Sequence, residues 1–322
     1  MEVGLSVSSS PRCLITGASG FIGKKLAASL DDRFPITLVA REAVSNLPKS
    51  NFIGIEKIDK NVSWGTILDN QDIVIHLANR AHVLDEQSVD PLAEYRKVNV
   101  EGTLELARQS VAAGVNRFIY LSSIKVNGEE TYKGVFQYDD SPNPQDDYAI
   151  SKWEAEQGLK EICQRSKMEL VIIRPPLVYG AGVKGNLRAL QNIIDKGWPL
   201  PLRGIHNQRE LISVDNLVDL IVTCITHPHA AGQTFLCSDE RSVSTTELIQ
   251  RIANARHRKA RLFWVPRALI GTSANCFGKG GMFKRLFGDL RVDITHTKEI
   301  LGWSPPYRFE DEIYKAFTMD TV

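Results

Sequence analysis

The sequence predicts an α/β fold in which a doubly wound parallel sheet carries a smaller C-terminal lobe. Two observations lead to this prediction. Short apolar runs alternate with helix-patterned segments through the first half of the 322-residue chain, and this alternation is typical of a parallel sheet with crossover helices. The first apolar run, over 12–16, also ends in a glycine-rich turn that opens a helical pattern.

Eight further segments of the first half have the periodicity of strands or helices. In chain order they are the helix 21–30, the strands 36–40, 52–58 and 72–78, the helix 90–113, the strand 118–122, the helix 148–165 and the strand 170–173. Helices lie between several of these strands, as the crossovers of a parallel sheet require.

Beyond residue 174 the chain is richer in glycine and proline. Expected elements here are the helices 187–196 and 245–255, a strand and helix over 210–226, and a helix, turn and helix over 293–317. Residues 262–290 have no clean periodicity. We therefore predict a first domain over 1–179, joined again by 208–237, and a lobe made of 180–207 and 238–322. The cleft between them, at the carboxyl ends of the strands, is the expected ligand site.

Composition and charge exclude several classes of function. The formal net charge is +1 and the hydrophobic fraction is 43%, so neither nucleic acid nor a membrane surface is favoured as a partner. No segment approaches the roughly 20 apolar residues of a membrane span, and residues 1–10 lack a secretion signal. The five cysteines are scattered and have no metal-ligand spacing. We therefore expect buried thiols, no metal and a cytoplasmic protein.

The turn after the first strand predicts a dinucleotide site in a Rossmann-type fold. Its glycines, at a G-x-x-G-x-x-G spacing, allow the tight turn, the approach of a pyrophosphate and close helix–strand packing. The N–H groups that begin the following helix are donors for the phosphates. The residues expected to hold the cofactor here are Gly17, Ser19, Gly20, Phe21, Ile22 and Gly23.

The end of the second strand bears on the choice of cofactor. Folds that bind NAD usually place Asp or Glu there, whereas an arginine suits the 2′-phosphate of NADP. Here Ala40 and Arg41 end the strand, and no carboxylate appears before Glu42. We therefore favour NADP(H) with Arg41 on the phosphate, and NAD(H) is the alternative. Asp59, after the third strand, is a candidate acceptor for the adenine amine or else a turn residue.

Tyr148 and Lys152 form the central catalytic candidate. Their four-residue spacing places both side chains on one face of a helix. A cation about 4 Å from a phenol, at an effective dielectric of about 20, is worth about 4 kcal/mol, or roughly three pKa units. Such a shift would bring the pKa of Tyr148 into the range of a working acid/base. The pair Ser122-Ser123 lies upstream at the end of a predicted strand.

Seven motifs together resemble the nucleotide-sugar epimerase/dehydratase branch of the extended short-chain dehydrogenase/reductase family. In chain order they are Thr16-Gly-Ala-Ser-Gly-Phe-Ile-Gly23, His76-Leu-Ala78, Asn99-Val-Glu-Gly-Thr103, Leu121-Ser-Ser123, Tyr148-Ala-Ile-Ser-Lys152, Arg174-Pro-Pro-Leu-Val-Tyr-Gly180 and Arg209-Glu-Leu-Ile-Ser-Val-Asp215. The resemblance covers nearly the whole chain. It implies a nicotinamide dinucleotide as cofactor and a nucleotide-linked sugar as substrate.

The resemblance also implies roles for single residues. Tyr148 would be the acid/base, Lys152 would bind the nicotinamide ribose and lower the Tyr148 pKa, and Ser123 would hydrogen-bond the reacting sugar oxygen. The other implied cofactor contacts are Leu77, Ala78, Asn99, Pro175, Pro176 and Val178. The implied substrate contacts are Ile124, Lys125, Asn186 and Arg209, the last two at the diphosphate.

Departures from the family pattern reduce the number of reactions that this chain is expected to catalyse. Dehydratases of this branch resemble one another in a Thr-Asp-Glu run that supplies an acid and a base, and this chain has Ser123, Ile124 and Lys125 instead. A dehydratase is therefore not expected. Epimerases of the branch hold NAD, generally with an acidic residue after the second strand, and Ala40-Arg41 departs from that.

The expected function is therefore reduction, by NADPH, of a UDP-linked 4-keto-6-deoxy-(N-acetyl)hexose in surface polysaccharide synthesis. The stretches 122–128 and 151–156 look most like bacterial enzymes of such pathways. The alternative is a UDP-glucose or UDP-GlcNAc 4-epimerase with bound NAD, and a non-catalytic NADP(H)-sensing protein is the third hypothesis. The resemblance also implies a homodimer formed through the helices that begin near Asp90 and Tyr148, with Trp153 as an anchor or else a core residue.

Overall fold

A seven-stranded parallel sheet forms the centre of the computed structural model, which describes residues 10–44, 50–81, 88–132, 134–266, 284 and 286–318. The strands in the described ranges are β1 (Cys13–Thr16), β2 (Ile36–Ala40), β3 (Asn51–Gly54), β4 (Ile73–His76), β5 (Arg117–Leu121), β6 (Glu169–Arg174), β7 (Leu177–Tyr179), β8 (Arg209–Ser213), β9 (Thr234–Leu236) and β10 (Ser242–Val243). The large sheet has the order β3-β2-β1-β4-β5-β6-β9, and every neighbouring pair is parallel. The strand order reverses between β1 and β4, which confirms the predicted Rossmann-type α/β fold.

The helices cover both faces of this sheet and continue into the C-terminal part. In the described ranges they are α1 (Phe21–Leu30), α2 (Gly65–Leu68), α3 (Pro91–Arg96), α4 (Thr103–Ala112), α5 (Asp147–Gln164), α6 (Asn186–Asp195), α7 (Val214–Thr226), α8 (Thr245–Ala255), α9 (Thr295–Leu301) and α10 (Phe309–Thr318). A π-helical segment, Lys97–Gly102, joins α3 to α4, and one-turn 3₁₀ helices lie at Ile124–Val126 and Pro228–Ala230. None of the helices in the described ranges combines the length and the apolar character needed to cross a bilayer.

Local hydrogen bonds explain where several helices begin. The carboxylate of Asp90 accepts from the Ala93 N–H at 3.0 Å, and that of Asp146 accepts from the Ala149 N–H at 2.8 Å. Ser244 accepts from the N–H of Glu247 at 3.0 Å. Each side chain satisfies one of the N–H groups that a helix start leaves unpaired.

Two apolar cores lie on the two faces of the large sheet. On one face α1 and α7 bury Leu26 and Leu220 against the strands; on the other, α4 and α5 bury Leu106 and Leu159. A third core, which includes Tyr179, joins α6, α8 and α10. A smaller sheet of order β10-β8-β7 borders this third core.

Most predicted elements are present, with differences at some boundaries. The helix expected over 90–113 is interrupted by the π-helical segment. Strands β7, β9 and β10 lack a counterpart in the sequence predictions. Ile294 and Trp303 pack into the core on the α1 face of the large sheet, although the sequence analysis assigned them to the lobe. The domain boundaries themselves stay a prediction. Of the segment 262–290, which has no clean periodicity, residues 267–283 and 285 lie outside the described residues.

The cysteines in the described ranges are free thiols. Cys13 and Cys224 are buried, as predicted, whereas Cys163 is half-buried. Burial raises the pKa of the Cys13 and Cys224 thiols to about 12, so both are protonated at neutral pH. Cys276 lies outside the described residues.

Candidate active site

The glycine turn after β1 is packed so closely that side chains are excluded from it. Gly17 has a φ of +71°, and a Cβ there would lie 2.7 Å from the backbone nitrogen of Ala78. A Cβ on Gly23 would lie 2.2 Å from the oxygen of Gly17. Gly20 is exposed on the outer side of the turn. The turn therefore presents bare backbone next to Leu77 and Ala78, at the point where the strand order reverses.

This turn fits the pyrophosphate of a dinucleotide. Gly20 precedes α1 and, in the described part of the chain, no side chain caps the start of this helix. Its first N–H groups, those of Phe21 and Ile22, are therefore not occupied by a side-chain cap. Backbone donors at a helix start, beside an exposed glycine, form an anion site. Ser19 is half-buried in the same turn, and all six predicted residues lie together.

The residues predicted to select the cofactor lie at the ends of β2 and β3. Arg41 follows Ala40, the last residue of β2, and is exposed. Asp59 pairs with the Lys57 ammonium at 2.8 Å and accepts from the Asn61 N–H at 2.8 Å. This carboxylate therefore stabilises a turn in the ligand-free structure, and its contact with adenine stays a prediction.

His76, at the end of β4, holds three parts of the site together. Its Nδ1 lies 2.6 Å from the hydroxyl of Thr16, and its Nε2 lies 2.8 Å from that of Thr103. Burial lowers the pKa of His76 to about 3, and the nearby Lys152 charge contributes. The imidazole is therefore neutral and links the end of β1 to α4. The sequence analysis treated this histidine only as part of a motif.

Asn99, in the π-helical segment, joins the segment after β4 to α5. Its oxygen accepts from the N–H of Arg80 at 2.7 Å, and its nitrogen donates to the Arg80 carbonyl at 3.1 Å. The same nitrogen donates to the hydroxyl of Ser151 at 3.0 Å. Asn99 thus positions the helix turn between Tyr148 and Lys152, and its contact with the cofactor stays a prediction.

Ser123 and Tyr148 meet at the carboxyl end of β5. The Ser123 hydroxyl lies beside the Tyr148 phenol, whose pKa it lowers, and it accepts from the Lys125 N–H at 3.3 Å. The pKa of Tyr148 is raised above its ordinary value, first by burial and then by Asp146 and Tyr95. The Tyr95 and Tyr148 rings contact edge to face, with centroids 6.1 Å apart.

Lys152 is buried one turn after Tyr148, with 1% of its surface exposed. Its ammonium donates to the Leu121 carbonyl at 2.7 Å and lies 4.1 Å from the centre of the Tyr120 ring. Burial lowers the pKa of Lys152 to about 7, and Glu156 opposes that shift. The pKa of Tyr148 is thus raised and not lowered as expected, because burial of the phenol and the nearby Asp146 and Tyr95 disfavour the phenolate.

The segments after β5 and β6 border the catalytic residues. The Ile124 N–H donates to the carbonyl of Pro175 at 3.0 Å, so the two segments lie side by side. The side chain of Ile124 is buried in the core, and Pro175 and Pro176 are buried as well. Val178 is half-buried in β7. The roles implied for these residues stay predictions.

The remaining predicted substrate contacts lie after β5 and at the borders of the third core. The Lys125 ammonium pairs with Glu129 at 3.0 Å and with Asp146. Asn186 is the first residue of α6 and is exposed. Arg209 begins β8 and donates to the Gly288 carbonyl at 3.0 Å. The diphosphate contacts of Asn186 and Arg209 stay predictions.

Sequence analysis missed a buried ion pair behind these residues. Glu156 pairs with Arg174 at 2.6 Å, and Ser122 donates to the same carboxylate at 2.5 Å. The sequence does contain one signal for Glu156: it follows Lys152 by four residues, which places both side chains on one face of the helix. The partner, Arg174, is on a different strand, and local periodicity contains no information about that pairing.

Comparisons with known proteins agree with this geometry. Residues 13–237 match the model of the NAD dependent epimerase/dehydratase family. The chain is 44% identical over 302 residues to a UDP-glucose 4-epimerase of Vibrio cholerae, covering 92% of each chain. It is 32% identical to a mouse dTDP-D-glucose 4,6-dehydratase, covering 95% of this chain and 87% of that one.

Solved structures share the fold. MoeE5 in complex with UDP-glucuronic acid and NAD superposes with a TM-score of 0.78 at 21% identity, covering 95% of this chain and 97% of that one. The UDP-glucuronic acid 4-epimerase of Bacillus cereus, in complex with NAD, has the same TM-score and coverage at 17% identity. With the family model matched over most of the chain and a relative at 44% identity, the protein belongs to the NAD-dependent epimerase/dehydratase family of the extended short-chain dehydrogenases/reductases.

Proposed function

We propose that this protein reduces a UDP-linked 4-keto-6-deoxy-(N-acetyl)hexose at C4, with NADPH as the reductant. The observation that carries this proposal is the arrangement of Ser123, Tyr148 and Lys152 at the carboxyl end of β5. The hydroxyl of Ser123 lies beside the Tyr148 phenol, and the raised pKa of Tyr148 keeps that phenol protonated at neutral pH. A reductase needs a proton donor in its resting state, and this tyrosine meets that need.

The proposed step is a two-electron reduction with a proton delivered by the protein. When bound, NADPH would supply the hydride for the C4 carbonyl carbon. Tyr148 gives its proton to the oxygen that becomes the C4 hydroxyl, while Ser123 hydrogen-bonds the same oxygen and stabilises its developing charge. Lys152 would hold the nicotinamide ribose, and its ammonium would favour the phenolate that the step leaves on Tyr148. Water then reprotonates the phenolate.

Exposed Arg41 supports the preference for NADPH. The guanidinium follows the last residue of β2, where a ribose 2′-phosphate lies in folds of this type. A planar guanidinium binds a phosphate through two parallel hydrogen bonds. A carboxylate at the end of β2 would instead favour the free ribose hydroxyls of NAD, and Ala40 stands there.

A UDP-sugar 4-epimerase with retained NAD is the second candidate. It is favoured by the Vibrio cholerae relative, which carries that name at 44% identity. Ser123, Tyr148 and Lys152 would act in both directions, with the hydride leaving C4 and returning to the opposite face of the sugar. Tyr148 would then have to lose its proton first, which the raised pKa opposes in the ligand-free protein.

Native mass spectrometry of the purified protein, with identification of the nucleotide released on denaturation, separates the two candidates. A reductase is expected to be empty or to hold exchangeable NADPH, and to oxidise one NADPH for each ketosugar reduced. An epimerase is expected to retain NAD and to interconvert UDP-glucose and UDP-galactose with no net change of cofactor. That result would contradict the reductase and support the epimerase. Undiminished activity in Tyr148→Phe would contradict the role of Tyr148 in both candidates. A folded wild-type protein that binds NADP(H) but neither reduces the ketosugar nor epimerises a UDP-sugar would leave the non-catalytic NADP(H)-sensing role.

A further inference from the structure

A buried ion pair lies behind the candidate catalytic residues and is not used by the proposed reaction. Glu156, in α5, has 0% of its surface exposed, and Arg174, the last residue of β6, has 2%. The guanidinium donates to both carboxylate oxygens, from Nε at 3.0 Å and from Nη2 at 2.6 Å. Two parallel bonds of this kind fix the relative orientation of both groups.

The pair is connected to the segment that carries Ser123. The hydroxyl of Ser122 donates to the Glu156 carboxylate at 2.5 Å, and the Ser122 N–H donates to the Ile173 carbonyl at 2.7 Å. On the other side, Nη1 of Arg174 donates to the Asn127 side chain at 2.9 Å. One pair therefore joins the ends of β5 and β6, the helix α5 and the turn after Ser123.

Glu156 also lies on the same face of α5 as Lys152, four residues further along the helix. The ionisable groups around the ammonium are His76 on β4, Tyr120 on β5, and Tyr148 and Glu156 on α5, with Arg174 of β6 beyond Glu156. Burial keeps the imidazole and both phenols neutral. Within this set, the carboxylate of Glu156 is therefore the charge that acts directly on Lys152, and the Arg174 guanidinium acts through it by neutralising that carboxylate.

We propose that Glu156 and Arg174 are positioning residues that set the protonation of Lys152 and hold the Ser122-Ser123 turn in place. The inference rests on the proposed function only for the part that Lys152 plays in the reaction. The charge balance around the ammonium does not depend on the substrate. The two charges of the pair neutralise each other. Removal of the carboxylate should therefore lower the pKa of Lys152, whereas removal of the guanidinium should raise it.

The test is the pH dependence of the free energy of unfolding in urea, without cofactor or substrate. The folded pKa of Lys152, about 7, lies below its ordinary value of 10.5, so the unfolded chain binds more protons between these values. Stability therefore rises with pH across this window. Glu156→Gln leaves a guanidinium near the ammonium, and the rise should begin about one pH unit lower. Arg174→Met leaves an unneutralised carboxylate, and the rise should begin about one unit higher.

Three comparisons make the test specific. In a Lys152→Met background the rise due to Lys152 should be absent, and neither substitution should restore it. Glu169→Gln is the matched control, since Glu169 pairs with Arg117 at 2.6 Å across the same two strands at their opposite ends, and it should leave the window in place. Ser122→Ala removes one donor to the Glu156 carboxylate and should move the window upward by less than Arg174→Met. Ser122→Ala keeps both charges and therefore tests the inference even if Glu156→Gln or Arg174→Met does not fold.

Shifts in the same direction for Glu156→Gln and Arg174→Met, or an unmoved window in Ser122→Ala, would overturn the inference. A purely structural pair would lower stability at every pH without moving the window. The same variants then separate this inference from the proposed reaction. If the windows shift as expected but no ketosugar is reduced, the proposed function fails and the charge balance around Lys152 stands.

Discussion

The ammonium of Lys152 donates to the carbonyl oxygen of Leu121 at 2.7 Å and lies over the ring of Tyr120. The four-residue spacing from Tyr148 places both residues on one face of α5, as expected. The ammonium is nevertheless held by the end of β5, and the pKa of Tyr148 is raised. The sheet, as well as the helix, therefore decides where this cation lies.

Tyr148→Phe should lower turnover about 10²- to 10⁴-fold while leaving the affinity for NADPH nearly unchanged, because only the proton donor is removed. Turnover is followed by the loss of NADPH absorbance, and affinity by NADPH fluorescence. Tyr314→Phe, on the exposed face of α10, is the matched control and should behave like the wild type. Equal turnover in both variants would remove Tyr148 from the reaction.

Gly17→Ala should abolish cofactor binding and destabilise the fold by roughly 1–3 kcal/mol or more. The added methyl would lie 2.7 Å from the Ala78 nitrogen, on a backbone whose φ of +71° disfavours any Cβ. Gly65→Ala, in α2, is the control because a Cβ there meets nothing within 4 Å; it should be neutral or slightly stabilising. Thermal unfolding with and without NADPH measures both effects, and a Gly17→Ala protein that binds NADPH normally would contradict the assignment.

Arg41→Ser should weaken NADPH binding at least about tenfold, which is roughly 1.4 kcal/mol, while NADH binding changes little. The reason is that only NADPH carries the 2′-phosphate. Arg12→Ser is the control, since Arg12 is also exposed but precedes β1, at the opposite end of the sheet. Calorimetric titration with both nucleotides checks this prediction. Equal losses for NADPH and NADH would show that Arg41 does not contact the phosphate.

His76 should make stability depend on pH in the acid range. Burial holds its pKa at about 3 in the folded protein, below the ordinary 6.5, so the unfolded chain binds more protons between these values. The contribution of His76 is complete above pH 6.5 and is lost as pH falls towards 3, by up to about 1.4 kcal/mol per pH unit.

Urea unfolding between pH 4 and pH 7 measures this slope for His76. His76→Gln, which keeps the hydrogen-bonding character towards Thr16 and Thr103 without a titrating ring, should flatten it. The exposed His206 is the control site, and His206→Gln should leave the slope unchanged. A slope that persists in His76→Gln would assign the effect to other groups.

We expect a homodimer that uses α3, α4 and α5. Within the chain Arg96 of α3 and Glu154 of α5 already pair at 2.5 Å, and Trp153 is half-buried beside them. Trp153→Ala should shift the protein towards monomer, measured by size-exclusion chromatography with light scattering. Trp198→Ala, at an exposed tryptophan after α6, should not. A wild-type monomer at micromolar concentration would refute the predicted dimer.

Local patterns were sufficient for much of the fold. The bounds of α1, β2 and α8 agree with the sequence predictions, because a glycine turn, a short apolar run and a capped amphipathic helix are all features of neighbouring residues. The cofactor turn was predictable for the same reason. The turn and the first three residues of the helix that follows form one continuous stretch of eight residues, Thr16 to Gly23.

Contacts between distant segments decided the rest. The three-residue strands β7 and β9 and the two-residue β10 are too short for a periodic signal, and they are strands only because a neighbouring strand pairs with them. Likewise, the raised pKa of Tyr148 and the lowered pKa of Lys152 come from burial, which no spacing within one helix specifies. The residue order determined which groups were available, whereas the packing of α5 against β5 and β6 determined their charges and partners, because the cost of burying a charge depends on everything around it.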